Sequence, residues 1–205
     1  MNKPLLISVS GISRSGKNTF CDLLETILLQ KYNLKCKHLS FAKQLRKDTE
    51  FYLMREFGFD VWDNKDKEKF RPFLVWYANL KRQNSKGLYF IEKLSKEIEN
   101  LTIFDAQVLL LSDLRFAENE YDEVDFCRQN GPILHITKYS LDSVGRKVYD
   151  TPPNEFESSN DPKIKSMSDY QIEWSEVGRG NTRLLIPYVD GFIEWLKNAN
   201  YDIKL

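Results

Sequence analysis

The chain has 205 residues, 41% of them hydrophobic and 13% aromatic, which suffices for one large core and excludes a disordered or low-complexity protein. Thirty Lys plus Arg balance thirty Asp plus Glu, so no overall field draws the chain to nucleic acid or to an anionic membrane, and no stable partner of either kind is expected. Three scattered cysteines (Cys21, Cys36, Cys127) and two histidines (His38, His135) supply neither a disulfide scaffold nor a zinc site.

The first apolar run, Leu5–Val9, is short, lacks a cleavage-type ending and flows into a glycine-bounded loop, so it reads as a buried strand and not as a signal peptide. With no run of membrane-spanning length, the expected setting is the reduced cytoplasm. Gly11-Ile12-Ser13-Arg14-Ser15-Gly16-Lys17 is a GxxxxGK pattern between that strand and a helix. Glycines at both ends let several N–H groups converge, the helix N-terminus adds a positive end, and Lys17 brings a full charge for the outer phosphates. Phe20, Leu23, Leu24, Ile27 and Leu28 give that helix one face for a sheet. Asn18 replaces the usual hydroxyl after the lysine and Thr19 follows it, a GKxT spelling similar to that of adenylate-kinase-type enzymes. The loop predicts ATP binding.

Residues 35–41 (KCKHLSF) read as a second strand. From about 45 to 100 the chain is charged, aromatic and helical in period, a helical insertion with loops near Gly58–Asn64 and Asn84–Gly87. Arg46, Arg71 and Arg82 lie there beside apolar positions and suit an acceptor phosphate, while Trp76 and Tyr77 suit either a base or the core. Gln107–Leu111 reads as a strand buried on both faces, ending in SDLRFAENE. A carboxylate at such a strand end is where open α/β sheets place chemistry, which makes Asp113 a candidate to order water on Mg²⁺ or take a proton from an acceptor and Arg115 a candidate for the transferred or acceptor phosphate, the alternative being that the two pair with each other.

A helix through about Cys127 leads to the strand Ile133–Thr137. Both histidines fall in expected strands and read as satisfied core groups. Residues 138–161 are polar and hold Gly145 and Pro152-Pro153, a long loop in which Arg146 and Lys147 are placed to close over ATP. Tyr170–Trp174 reads as the last strand and Leu184–Asn198 as a terminal amphipathic helix. The expected architecture is a three-layer α/β/α domain of the P-loop NTPase class, with a mainly parallel five-stranded sheet. Its core is 1–44 and 101–205, with a helical substrate-binding insertion at 45–100 and a lid-like segment at 138–161.

GISRSGKNT, the LSFAKQLRKD run and LLLSDLRFAENE together resemble the bacteriophage-type deoxynucleoside monophosphate kinases. The resemblance spans most of the chain, is strongest at RSGKNT and SDLRFAENE, and fades after 140, where Asn154-Glu155-Phe156-Glu157 stands in place of the family's His or Ser followed by Glu. It implies transfer of a phosphoryl group from ATP, with Mg²⁺, to a deoxynucleoside monophosphate. Gly11, Arg14, Ser15, Gly16, Lys17 and Thr19 would then hold ATP, and Ser13 and Asn18 of the same loop, with Arg146 of the lid-like segment, are further ATP-binding candidates. Lys17, Asp113 and Arg115 would serve the transfer, Thr19 and Asp113 the metal, and Arg46, Arg71, Trp76, Arg82 and Glu120 the acceptor.

Lysine in Asn64-Lys65-Asp66-Lys67, where a guanine-reading aspartate would stand, disfavours a GTPase. A kinase for a modified base in polynucleotide, a kinase for another small acceptor, and a nucleotide-binding protein without transfer stay open, as do a monomer and a homodimer.

Overall fold

The computed structural model describes residues 3–201 apart from 64, 120, 179 and 200. In chain order the elements are β1 (Leu5–Ser10), α1 (Lys17–Tyr32), β2 (Cys36–Leu39), α2 (Phe41–Phe57), α3 (Lys67–Ser85), α4 (Leu88–Glu99) and β3 (Val108–Leu111). There follow α5 (Glu123–Asn130), β4 (Ile133–Leu141), β5 (Lys147–Tyr149), α6 (Glu155–Met167), β6 (Tyr170–Ser175) and, after a 3-10 turn at Thr182–Leu185, α7 (Ile186–Asn198). Among the described residues no helix is long and apolar enough to cross a membrane.

Short apolar runs become central strands because both faces are covered. In β1, Ile7 and Val9 face one core and Leu6 the other; in β3, Val108 and Leu110 oppose Leu109 and Leu111; in β4, Leu134 and Ile136 oppose Ile133. On the first face lie the stripes of α1 (Phe20, Leu24, Leu28) and α7 (Val189, Phe192, Leu196). On the second lie Phe90, Ile91 and Leu94 of α4, Val124 and Cys127 of α5, and Ile164 of α6. This is the expected three-layer arrangement. The parallel strands run β2-β3-β1-β4-β6, five in number as the sequence indicates, and β5 joins β4 antiparallel as a sixth. β2 lies at an edge, which is why His38 is exposed beside Glu25 while His135, in β4, is buried.

The expected long loop at 138–161 is instead a hairpin and a helix. β4 runs four residues past Thr137, and the turn to β5 is wound around Asp142, whose Oδ1 accepts the N–H groups of Val144 (2.9 Å) and Arg146 (2.8 Å). Asn154 then caps α6 by accepting the Glu157 N–H at 2.9 Å. These are polar, local interactions, so no hydrophobic period announces them. Tyr139 pairs with Ser175 of β6 on one side and Tyr149 of β5 on the other. The hairpin therefore stands on the β1 side of β4, past the end of β1 and above the loop that follows it. The expected loop at Asn84–Gly87 shrinks to a tight joint: Lys86 (φ 52°) and Gly87 (φ 92°) reverse the chain, and Gly87 donates to the Arg82 carbonyl at 2.8 Å.

Candidate functional site

β1 and β3 are neighbours in parallel, so the loop after Ser10 and the segment after Leu111 leave the sheet at one edge, between strands whose connections diverge. At Gly11 (φ 128°) a Cβ would lie 2.3 Å from the Ile136 carbonyl oxygen, and at Gly16 (φ 98°) 2.6 Å from the Trp174 ring. Only glycine fits either place. Trp174 Nε1 also donates to the Ser15 carbonyl at 2.9 Å, so β6 pins the loop from below. Arg14 is exposed in a left-handed conformation (φ 67°), Asn18 is exposed, and Thr19 sits half-buried in the first turn of α1.

Lys17 is buried and folded back, its Nζ donating to the carbonyls of Gly11 and Ile12, each at 2.7 Å. Burial pushes its pKa down to about 8, the Arg115 charge adds to this, and Glu157, Asp161 and Asp113 oppose it. The Ser15 hydroxyl is buried without a partner, and the Ser13 N–H is met by a carboxylate, Glu157 Oε2, at 2.5 Å. A cradle closed to side chains, a lysine and a hydroxyl that among the described residues have no carboxylate and no hydrogen-bond partner respectively, and an N–H already turned to an anion all fit a nucleotide phosphate chain.

The Glu157 contact comes from α6, whose residues Glu157, Asn160, Asp161 and Ile164 recur on one face. Glu157 Oε1 accepts from Arg115 at 2.9 Å; Asn160 is fully buried and clamps the strand-end segment, accepting the Ala117 N–H at 2.8 Å and donating to Glu118 at 2.9 Å; Asp161 lies 3.1 Å from the buried His135. Arg115 is legible at the site from the sequence, whereas the α6 face and Trp174 are not. A capping residue at Asn154 with an acidic residue three places on is the only trace of that helix start.

Asp113 faces elsewhere. Its carboxylate accepts the Ser40 hydroxyl (2.8 Å) and the N–H groups of Phe41 (3.1 Å) and Ala42 (2.8 Å), so both oxygens hold the N-terminus of α2 on the end of β3. That does not fit a direct metal ligand. Among the described residues no three His, Cys, Asp or Glu side chains form a metal cluster.

Of the arginines in the insertion, Arg82 is tied to this edge through Glu123. It pairs with Glu123 at 2.9 Å, its guanidinium lies 3.7 Å from the Phe116 ring centre, and Glu123 Oε2 in turn accepts the Arg115 N–H at 3.2 Å. Burial raises the Glu123 carboxyl to about 7 against the pull of Arg82. Beside this pair opens a cavity of about 180 Å³ bordered by Arg82, Gly87, Phe116, Asn119 and Asp122. Arg71 lies eleven residues earlier on α3, about 16 Å along the axis, exposed beside Glu68 at 3.4 Å. Arg46 stacks on Trp62 at 5.8 Å, and Trp76 is 58% exposed, so it belongs neither to the core nor to this cavity. Arg146 binds Asp142 within its own hairpin turn at 3.0 Å and is 80% exposed. Glu120 lies outside the described residues.

Neither a protein-family model nor a curated protein matches the sequence. Among solved structures the chain is similar to a dephospho-CoA kinase from Campylobacter jejuni, 13% identical over 98% of this chain and 100% of that one, with a TM-score of 0.50. The chain shares the fold of that kinase. It is also similar to a shikimate kinase from Acinetobacter baumannii solved in complex with shikimate, 15% identical over 97% of this chain and 96% of that one, at a TM-score of 0.47. At these identities the likeness concerns fold alone.

Proposed function

We propose that the protein is a nucleotide kinase that transfers the γ-phosphate of ATP to a (deoxy)nucleoside monophosphate. The observation that carries this reading is a glycine-built phosphate loop beside Arg115, whose backbone N–H leads through Glu123 to Arg82 and a cavity bordered by the insertion. Phosphoryl transfer needs alignment and charge neutralisation more than covalent help. Lys17 and the loop amides hold the donor phosphates, and Arg115, at the end of β3, neutralises the transferring group. Phe116 offers a ring for the acceptor's base, Asn119 an amide for its edge and Arg82 a cation for its phosphate. Thr19 is the residue that would hold Mg²⁺, which would supply charge screening for the donor phosphates. Asp113 is assigned to positioning: it holds α2, and with it Arg46, against the end of β3.

The test is incubation of the purified protein with ATP, Mg²⁺ and each deoxynucleoside and ribonucleoside monophosphate in turn, hydroxymethylated ones included, with chromatography of the nucleotides. Diphosphate from one or a few acceptors is the expected result. Untouched ATP beside every acceptor, despite ATP binding, would favour a different acceptor or a nucleotide-binding protein without transfer. Lys17→Met should lower turnover by about three orders of magnitude or more with the fold retained.

A further inference from the structure

Glu157 is a group in direct contact with the phosphate loop that a phosphate-binding site does not ask for. Its carboxylate is buried, and its two oxygens take the two kinds of donor a phosphate would take: a loop amide, Ser13 N–H, through Oε2, and a guanidinium, Arg115, through Oε1. It is delivered by a capped helix turn, the Glu157 N–H being itself fixed by Asn154. What remains beside it is a cleft of about 10 Å³, bordered by Gly11, Ile12, Arg115, Glu157 and Asp161. That is room for about one water and not for a phosphate.

We infer that Glu157 is the loop's own anion, a carboxylate that occupies the phosphate position in the nucleotide-free protein and must be displaced by the incoming nucleotide. The inference rests on the reading of this loop as a nucleotide site and adds a regulation to it. Burying the Ser13 N–H and the Arg115 charge against a carboxylate satisfies both donors while the site is empty of ligand, which spares the loop unpaired donors and like-charge repulsion between Arg115 and Lys17. A nucleotide then exchanges one anion for another on the same donors, and the same exchange frees Arg115 to face the phosphate that moves. Glu157 lies on α6, directly after the β4–β5 hairpin above the loop, so its departure is coupled to that segment. The site opens only when a nucleotide is there to replace the plug.

The test compares the wild type with Glu157→Gln, which keeps the side-chain shape and an acceptor for Ser13 but removes the charge. ADP is titrated by calorimetry without acceptor, and circular dichroism checks the fold. The variant should bind ADP about tenfold more tightly, the range expected when a competing charged hydrogen bond is weakened. Equal or weaker binding by the variant would overturn the inference, since Glu157 would then support the nucleotide or be indifferent to it. Absence of ADP binding in both proteins would instead remove the nucleotide site itself. In the wild type, which needs no variant to fold, saturating ADP should speed hydrogen exchange at residues 155–158, and slowed or unchanged exchange there would contradict displacement.

Discussion

At Gly16 the loop has no latitude, because its φ of 98° and the Trp174 ring 2.6 Å from where a Cβ would stand exclude any side chain. Gly16→Ala should cost about 1–3 kcal/mol in denaturant unfolding and abolish ADP binding, whereas a freely tolerated alanine would mean that Trp174 does not pin the loop. Arg82 makes a different kind of prediction, since it borders the cavity without touching the phosphate loop. Arg82→Ala should raise KM for the monophosphate about tenfold or more and leave KM for ATP near its original value, measured by steady-state kinetics with each substrate varied. A rise confined to ATP would move the acceptor elsewhere. Neither Gly16 nor Arg82 is obscure in the sequence, but their partners Trp174 and Glu123 are, because each lies far along the chain and is brought in by a separate element.

At the scale of elements, α2 and α6 show two ways in which a helix is tied to the site. The N-terminus of α2 is held by Asp113, so Asp113→Ala leaves a hydroxyl and two amides without their acceptor and should cost about 1–3 kcal/mol of stability. An activity loss without a stability loss would return Asp113 to the chemistry. The face of α6 at 157, 160, 161 and 164 is polar in three of its four residues, so it carries no apolar stripe by which a sequence reading finds a helix. The β4–β5 hairpin escapes notice for a related reason, being made by the Asp142 turn and by ladder bonds and not by buried side chains. By contrast α1, whose stripe meets the sheet at five positions, is legible at once.

For the whole molecule, the buried charges near the loop give a pH signature. Lys17 has a folded pKa of about 8, below its ordinary value of 10.5, so folding favours its neutral form. The cost of keeping it charged is fully present below pH 8 and is relieved as pH rises from there towards 10.5. Phosphate binding requires the charged form, so ADP affinity should fall as pH rises through 8 to 9, and the fall should vanish in Lys17→Met. Glu123 runs the other way: its folded pKa of about 7 lies above the ordinary 4.5, so its contribution to stability is full below 4.5 and is lost as pH rises to 7. Glu123→Gln should flatten the stability profile across that window, as read from unfolding midpoints; an unchanged profile would show that Glu123 is not its source.

The sequence by itself determined the five parallel strands, the layer of helices on each sheet face and the phosphate loop, because apolar period and glycine spacing are local properties that survive without knowledge of any partner. It also marked Lys17 and Arg115, which stand at fixed offsets from strand ends. Only the tertiary structure decided that Asp113 is spent on the N-terminus of α2, that Arg71 and Arg46 do not join Arg82 at its cavity, and that Glu157 reaches the phosphate loop from α6. Two of those, Asp113 with α2 and Glu157 with the loop, depend on which polar group meets which across more than seventy residues of chain, while Arg46 with Trp62 and Arg71 with Glu68 are drawn off by nearer partners. Polar pairing of that kind has no period; it is settled by the packing that brings the elements together.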